Sequence, residues 1–209
     1  MTVDVLAVLR DGRLLAIVRG PEPDAALRTV LALVEEGVPA VEVSLTTSGA
    51  LDVIHAARTA LGPEAVLGAG TALTAADAER AVEAGAGFLV TPAVAPGVFG
   101  PAAAAGVPVL AGAFTPTEVL AAHQAGAAAV KLFPASQGGV GYLRALREPF
   151  PSIPFVPVGG VDTAAAREYL AVGALAVGVG SPLVGDAARG GDLAALRVRA
   201  REFLAAVRP

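Results

Sequence analysis

Short apolar runs alternate with Ala- and Leu-rich stretches of helical character along the whole chain. The runs are residues 14–19 (LLAIVR), 40–45 (AVEVSL), 65–71 (AVLGAGT), 87–92 (GFLVTP), 108–114 (PVLAGAF), 129–134 (AVKLFP), 154–160 (PFVPVGG) and 174–181 (ALAVGVGS). They recur about every 20 to 25 residues and are apolar almost throughout. Strands buried on both faces read this way, as in parallel sheets covered by helices. The stretches between them carry helix punctuation. Asp24 is expected to open the first, and Asp162 the one before the last run. Thr74 with Asp77, and Thr115-Pro116-Thr117-Glu118, read as capping boxes. Gly37, Gly85, Gly106, Gly126 and Gly173 stand where left-handed C-terminal caps are expected.

Eight strand–helix units, with no composition shift to mark a linker, predict one α/β domain over residues 1–209 folded as a (β/α)8, or TIM, barrel. An open doubly wound sheet calls for a Gly-rich turn after its first strand, and VRGPEPD (residues 18–24) is not one. Residues 2–11 read as a short extra N-terminal helix that caps the barrel bottom.

Composition narrows the function. Hydrophobic residues make up 55% of the 209 residues and charged residues 16%. No long unbroken apolar run predicts a membrane span, and the first residues lack the pattern of a signal peptide, so a cytoplasmic location is expected. The net charge of -4 and the scattered arginines give no nucleic-acid stripe. Cysteine is absent, which excludes thiol chemistry and Cys-metal sites. His55 and His123 stand alone in helical stretches, so no metal is expected.

Among 15 basic side chains only Lys131 is a lysine, and it lies inside an apolar run. Burying an ammonium costs several kcal/mol unless it is paired or neutralised, and a neutral amine can form a Schiff base with a carbonyl. Taken alone, Lys131 also reads as a strand-end lysine snorkelling to solvent. Glu42 is the one acid inside an apolar run. It reads either as half of a structural ion pair with Lys131 or as a proton shuttle beside it. Arg19 ends the first run, where a guanidinium suits a carboxylate or phosphate. After runs seven and eight come Gly159-Gly160 and Gly180-Ser181, on the loops where barrels recurrently bind phosphate. An amine, an acid, an anion clamp and a phosphate nest suggest a phosphorylated keto acid handled through a Schiff base. A phosphate-binding isomerase or synthase without a Schiff base, and a non-catalytic binding barrel, are the competing readings.

The segments EVSLTT (42–47), GAGT (68–71), TP (91–92), VKLFPA (130–135) and PVGGV (157–161) resemble, in order and spacing, the 2-keto-3-deoxy-6-phosphogluconate (KDPG) and 4-hydroxy-2-oxoglutarate (KHG) aldolases. The resemblance implies a metal-free class I aldolase of carbohydrate metabolism (the Entner–Doudoroff route), on a small barrel assembled as a homotrimer. It implies that Lys131 forms the imine and that Glu42 is the general acid/base. Thr71 would hold the pyruvyl carboxylate or a reacting hydroxyl. Pro92 and Phe133 would wall the pocket, and Gly159, Gly160, Gly180 and Ser181 would take a distal phosphate. At Thr46 the phosphogluconate branch often carries Arg, and at Val158 it often carries Thr. The phosphogalactonate branch shares the V-G-G reading and an arginine at the end of strand one, so Arg19 is expected to replace the missing clamp.

Overall fold

The computed structural model describes residues 3–208. Eight short strands alternate with helices: β1 Leu14–Val18, β2 Ala40–Ser44, β3 Val66–Gly70, β4 Leu89–Val90, β5 Val109–Ala113, β6 Ala129–Leu132, β7 Phe155–Pro157 and β8 Val177–Val179. All neighbouring pairs are parallel, and β8 lies beside β1. The ring closes between β7 and β8 through the single bridge Val158–Gly178 and a bond from the Leu175 amide to the Phe155 carbonyl (2.8 Å). The fold is therefore a (β/α)8 barrel. The strands are shorter than the apolar runs because the last residues of each run leave the ladder to form the loops at the barrel mouth.

Outside the ring lie α2 Pro23–Glu35, α3 Ala50–Leu61, α4 Ala75–Glu83, α5 Pro96–Ala104, α6 Pro116–Gln124, α7 Ala135–Arg147, α8 Thr163–Ala171 and α10 Leu193–Val207, with a four-residue helix, α9 Ser181–Val184, after β8. The capping boxes at Thr74/Asp77 and Thr115/Glu118 form as predicted, and Asp162 caps α8. All five predicted helix-ending glycines have positive φ. Asp24 does not open α2: the cap position belongs to Glu22, and Asp24 lies in the first turn. Pro23 sets this start, since its ring suits the first helical position and its missing N–H costs nothing there.

Residues 2–11 carry the expected extra helix as α1 Val5–Gly12; Thr2 lies outside the described residues. The buried face of α1, Val5 and Leu9, joins Leu15, Ala40, Phe88 and Leu110 in an inner apolar cluster that plugs the barrel bottom. Glycine makes room in this interior. Any side chain at Gly68 would collide with the Phe88 ring, and any at Gly70 with the Glu42 carboxyl.

Candidate active site

Strand alternation puts Ala40, Glu42 and Ser44 of β2 on the inner face, and Ala129 with Lys131 of β6 on the facing wall. β2 and β6 are four strands apart in a ring of eight, so their inward side chains meet across the lumen. Lys131 Nζ lies 4.0 Å from Glu42 Oε1, with the two residues only 6% and 1% exposed. The other carboxyl oxygen, Oε2, has no hydrogen-bond partner. Burial pushes the Glu42 pKa up from its ordinary 4.5, against the opposing pull of Lys131 and Arg19. A buried carboxyl with one idle oxygen and a raised affinity for protons is poised to exchange a proton with a bound molecule.

Above this pair a hydroxyl network lines the mouth. Ser44 Oγ is fully buried, 2.8 Å from Thr46 Oγ1 and 2.9 Å from Thr71 Oγ1, and it accepts the Arg19 Nε–H at 3.3 Å. Thr71 holds φ at 63°, in the left-handed region. A β-branched residue there costs about 1–3 kcal/mol, a strain that clusters at functional sites. Here the turn delivers the Thr71 hydroxyl to Ser44.

Beside the network opens a cleft of about 580 Å³ lined by Arg19, Thr46, Phe133, Gly159, Gly160, Gly180 and Ser181, all anticipated from the sequence. The backbone N–H groups of Gly159, Gly160, Gly180 and Ser181 are not used in the chain's own backbone hydrogen bonds. Gly159 and Gly160 reach φ of 100° and 71°, which only glycine adopts freely. Lys131, Glu42, Thr71 and Pro92 do not line this cleft. Phe133 joins the two parts: its ring walls the cleft and its centroid is 5.5 Å from Lys131 Nζ. Pro92 ends up half-buried, its backbone tight against Gly112, which is the register partner of Lys131. All eleven predicted site residues thus gather at the C-terminal end of the barrel, where barrel enzymes carry their chemistry.

Ser44 and Arg189 are among the residues at this mouth that were not anticipated. Ser44, the hub of the network, was legible by alternation from Glu42. Arg189 lines the cleft from the turn Ala187–Arg189 and carries no periodic signal. Tyr142 plays a structural part, donating to the Phe114 carbonyl at 2.8 Å and tying α7 to the loop after β5. His55 and His123 are exposed on α3 and α6.

Comparison with known proteins agrees with this fold. Residues 5–198 match the family model for KDPG and KHG aldolase. A probable 2-dehydro-3-deoxy-6-phosphogalactonate aldolase of Rhizobium meliloti (strain 1021) is 39% identical over 194 residues, covering 92% of this chain and 90% of the relative. The KHG/KDPG aldolase of Escherichia coli (strain K12) is 34% identical over 198 residues, covering 94% of this chain and 92% of the relative. A Legionella pneumophila KDPG aldolase, solved with pyruvate captured at low pH as a covalent carbinolamine intermediate, superposes with a TM-score of 0.86 at 25% identity and covers 98% of both chains. With the family model spanning nearly the whole barrel, this chain belongs to the KDPG and KHG aldolase family.

Proposed function

We propose that this protein is a class I aldolase that cleaves a 2-keto-3-deoxy-6-phospho-aldonate, or 4-hydroxy-2-oxoglutarate, to pyruvate and an aldehyde. The observation that carries this reading is the pairing of the chain's one lysine with Glu42 across the barrel lumen. The Lys131 amine adds to the C2 ketone and forms a carbinolamine. Glu42 gives the proton with which water leaves, and a protonated imine remains. Glu42 then takes the C4 hydroxyl proton. The C3–C4 bond breaks, and its electron pair flows to the imine nitrogen as the enamine of pyruvate. The aldehyde departs (glyceraldehyde 3-phosphate or glyoxylate), the enamine is protonated at C3, and water hydrolyses the imine.

In this reading Arg19 and Thr71 take the substrate carboxylate, with Thr46 at their side. Pro92 and Phe133 wall the reacting carbons, and the free amides of Gly159, Gly160, Gly180 and Ser181 receive the distal phosphate. Arg19 stands in the cleft, while Thr46 occupies the position where the phosphogluconate branch often carries arginine. That exchange, with the similarity to the Rhizobium meliloti enzyme, favours the phosphogalactonate substrate as a second reading. We also infer a homotrimer in the cytoplasm, as the family resemblance implies; light scattering should give about three times 20.6 kDa.

The test is borohydride reduction in the presence of pyruvate. One pyruvyl adduct per chain is expected, on Lys131 and absent from Lys131→Met. An unmodified Lys131 would refute the mechanism.

A further inference from the structure

The cleft at the barrel mouth carries two arginines, Arg19 and Arg189, and no acidic residue. This stands out in a chain of net charge -4. Arg19 spends one N–H on Ser44. The guanidinium of Arg189 takes part in none of the ion pairs among the described residues, which engage Arg80, Lys131, Arg197 and Arg201 instead. Nor is it neutralised from its own turn: the Asp186 side chain folds back over Gly191, where any added side chain would collide with it.

The turn that presents Arg189 is firmly held. Ala187 and Ala188 are each 1% exposed, and Gly190 closes the turn in the left-handed conformation. Gly20 lets the Ala188 carbonyl pack directly on the backbone, in space that any larger residue would occupy. The residue after Arg19 and the residue before Arg189 therefore touch, which fixes both arginine-bearing loops at one rim of the cleft. Arg189 lines the same cleft as Gly160 and Ser181, whose amides the backbone leaves unused, and an exposed guanidinium beside such amides suits a dianionic tetrahedral group.

We infer that Arg189 binds the terminal phosphate of the substrate and makes the enzyme select phosphorylated six-carbon keto acids over hydroxyglutarate. This rests on the aldolase reading above and deepens it. In hydroxyglutarate the far carboxylate is bonded directly to the carbon that becomes the aldehyde. In the phosphorylated aldonate the phosphate ester begins two carbons further on. A cation on the loop beyond β8 rewards the longer substrate, while Arg19 serves the carboxylate nearer the amine.

The experiment has two arms. Inorganic phosphate is titrated into wild type, Arg189→Ala and Arg189→Lys by calorimetry. Phosphate affinity is expected to fall about 10- to 100-fold in Arg189→Ala, the size of one charge-assisted bidentate contact, and to recover only in part in Arg189→Lys, which lacks the planar fork. In the second arm, the ratio of kcat/KM for 2-keto-3-deoxy-6-phosphogluconate over 4-hydroxy-2-oxoglutarate is expected to fall by a similar factor. Unchanged phosphate affinity in Arg189→Ala, or equal loss with both substrates, overturns the proposal. Arg189→Gln, checked for an unaltered melt, decides the matter if the alanine variant fails to fold. The phosphate arm does not depend on Lys131. A missing pyruvyl adduct in wild type therefore sinks the aldolase reading, and the substrate selection with it, but leaves the phosphate contact of Arg189 standing; unchanged phosphate binding in Arg189→Ala sinks the contact and leaves the aldolase reading.

Discussion

At the bottom of the barrel, Leu15, Ala40, Phe88 and Leu110 close around Leu9 of α1 in an apolar cluster. Two residues further along β2, on the same inner face, stands Glu42, and two residues further again Ser44. On β6 the step from Ala129 leads to Lys131. One strand therefore carries both a packing residue and a reacting residue, separated by a single pleat repeat. The lower layer is held by shape, down to the glycine opposite Phe88. The upper layer tolerates a buried ion pair, an idle carboxyl oxygen and a left-handed threonine, each of which costs stability. The difference teaches that a barrel this small concentrates its strain at one end and keeps the other as the support.

Breaking the upper layer should cost activity far more than stability. Glu42→Gln is expected to lower turnover by about 10²–10⁴-fold in an aldol-cleavage assay. Its pH behaviour sharpens the assignment. Because burial raises the Glu42 pKa from 4.5, the folded state holds that proton more tightly than the unfolded state. The stabilisation this brings is complete below 4.5 and is lost as pH rises through the raised value. The melting temperature of Glu42→Gln relative to wild type should therefore shift in favour of the glutamine variant as pH increases above 4.5. The acid limb of the turnover profile, which needs ionised Glu42, should lie above 4.5 and vanish in the variant. A pH-independent melting difference would mean that Glu42 titrates normally.

Breaking the lower layer should do the converse. Leu9→Ala, in the plugging helix, is expected to cost about 2–5 kcal/mol in urea melts and to leave kcat per folded molecule unchanged. A matching fall in kcat would show that the two layers are mechanically coupled. The smallest effects belong to the rim. Arg19→Ala should raise KM for the keto acid by roughly 10- to 100-fold, and Ser44→Ala by less than about 10-fold. Ser44→Thr should restore most of the loss. The double variant should be less than additive, since Ser44 acts through Arg19 and Thr71. Full additivity would remove Ser44 from the network.

Much of this division was legible in the sequence. Eight apolar runs at regular spacing specify parallel strands under helices, and a lysine and a glutamate inside such runs have few places to go but the lumen. Ser44 was equally legible, since the alternation that turns Glu42 inward turns Ser44 inward too. Asp24 was misplaced by two residues because a proline, not a side-chain oxygen, fixes where α2 begins. Arg189 was not legible. It sits on a short turn after β8, where no period constrains direction, and its place beside the cleft goes with the close packing of that turn on Gly20. The gap between the Lys131–Glu42 pair and the cleft, bridged by Phe133, likewise depends on three-dimensional placement that no spacing in the chain encodes.

The solitary lysine also makes this barrel its own gauge of unfolding. A protease that cuts only after lysine has one bond to attack, between Lys131 and Leu132, and both residues are buried in β6. In the native state that bond is out of reach, so cleavage into residues 1–131 and 132–209 counts openings of the central ladder and little else. When opening and closing are fast relative to cutting, the digestion rate reports the free energy of opening. A substrate held covalently on the same side chain would slow the reaction twice, by stabilising the folded barrel and by masking the residue the protease must recognise.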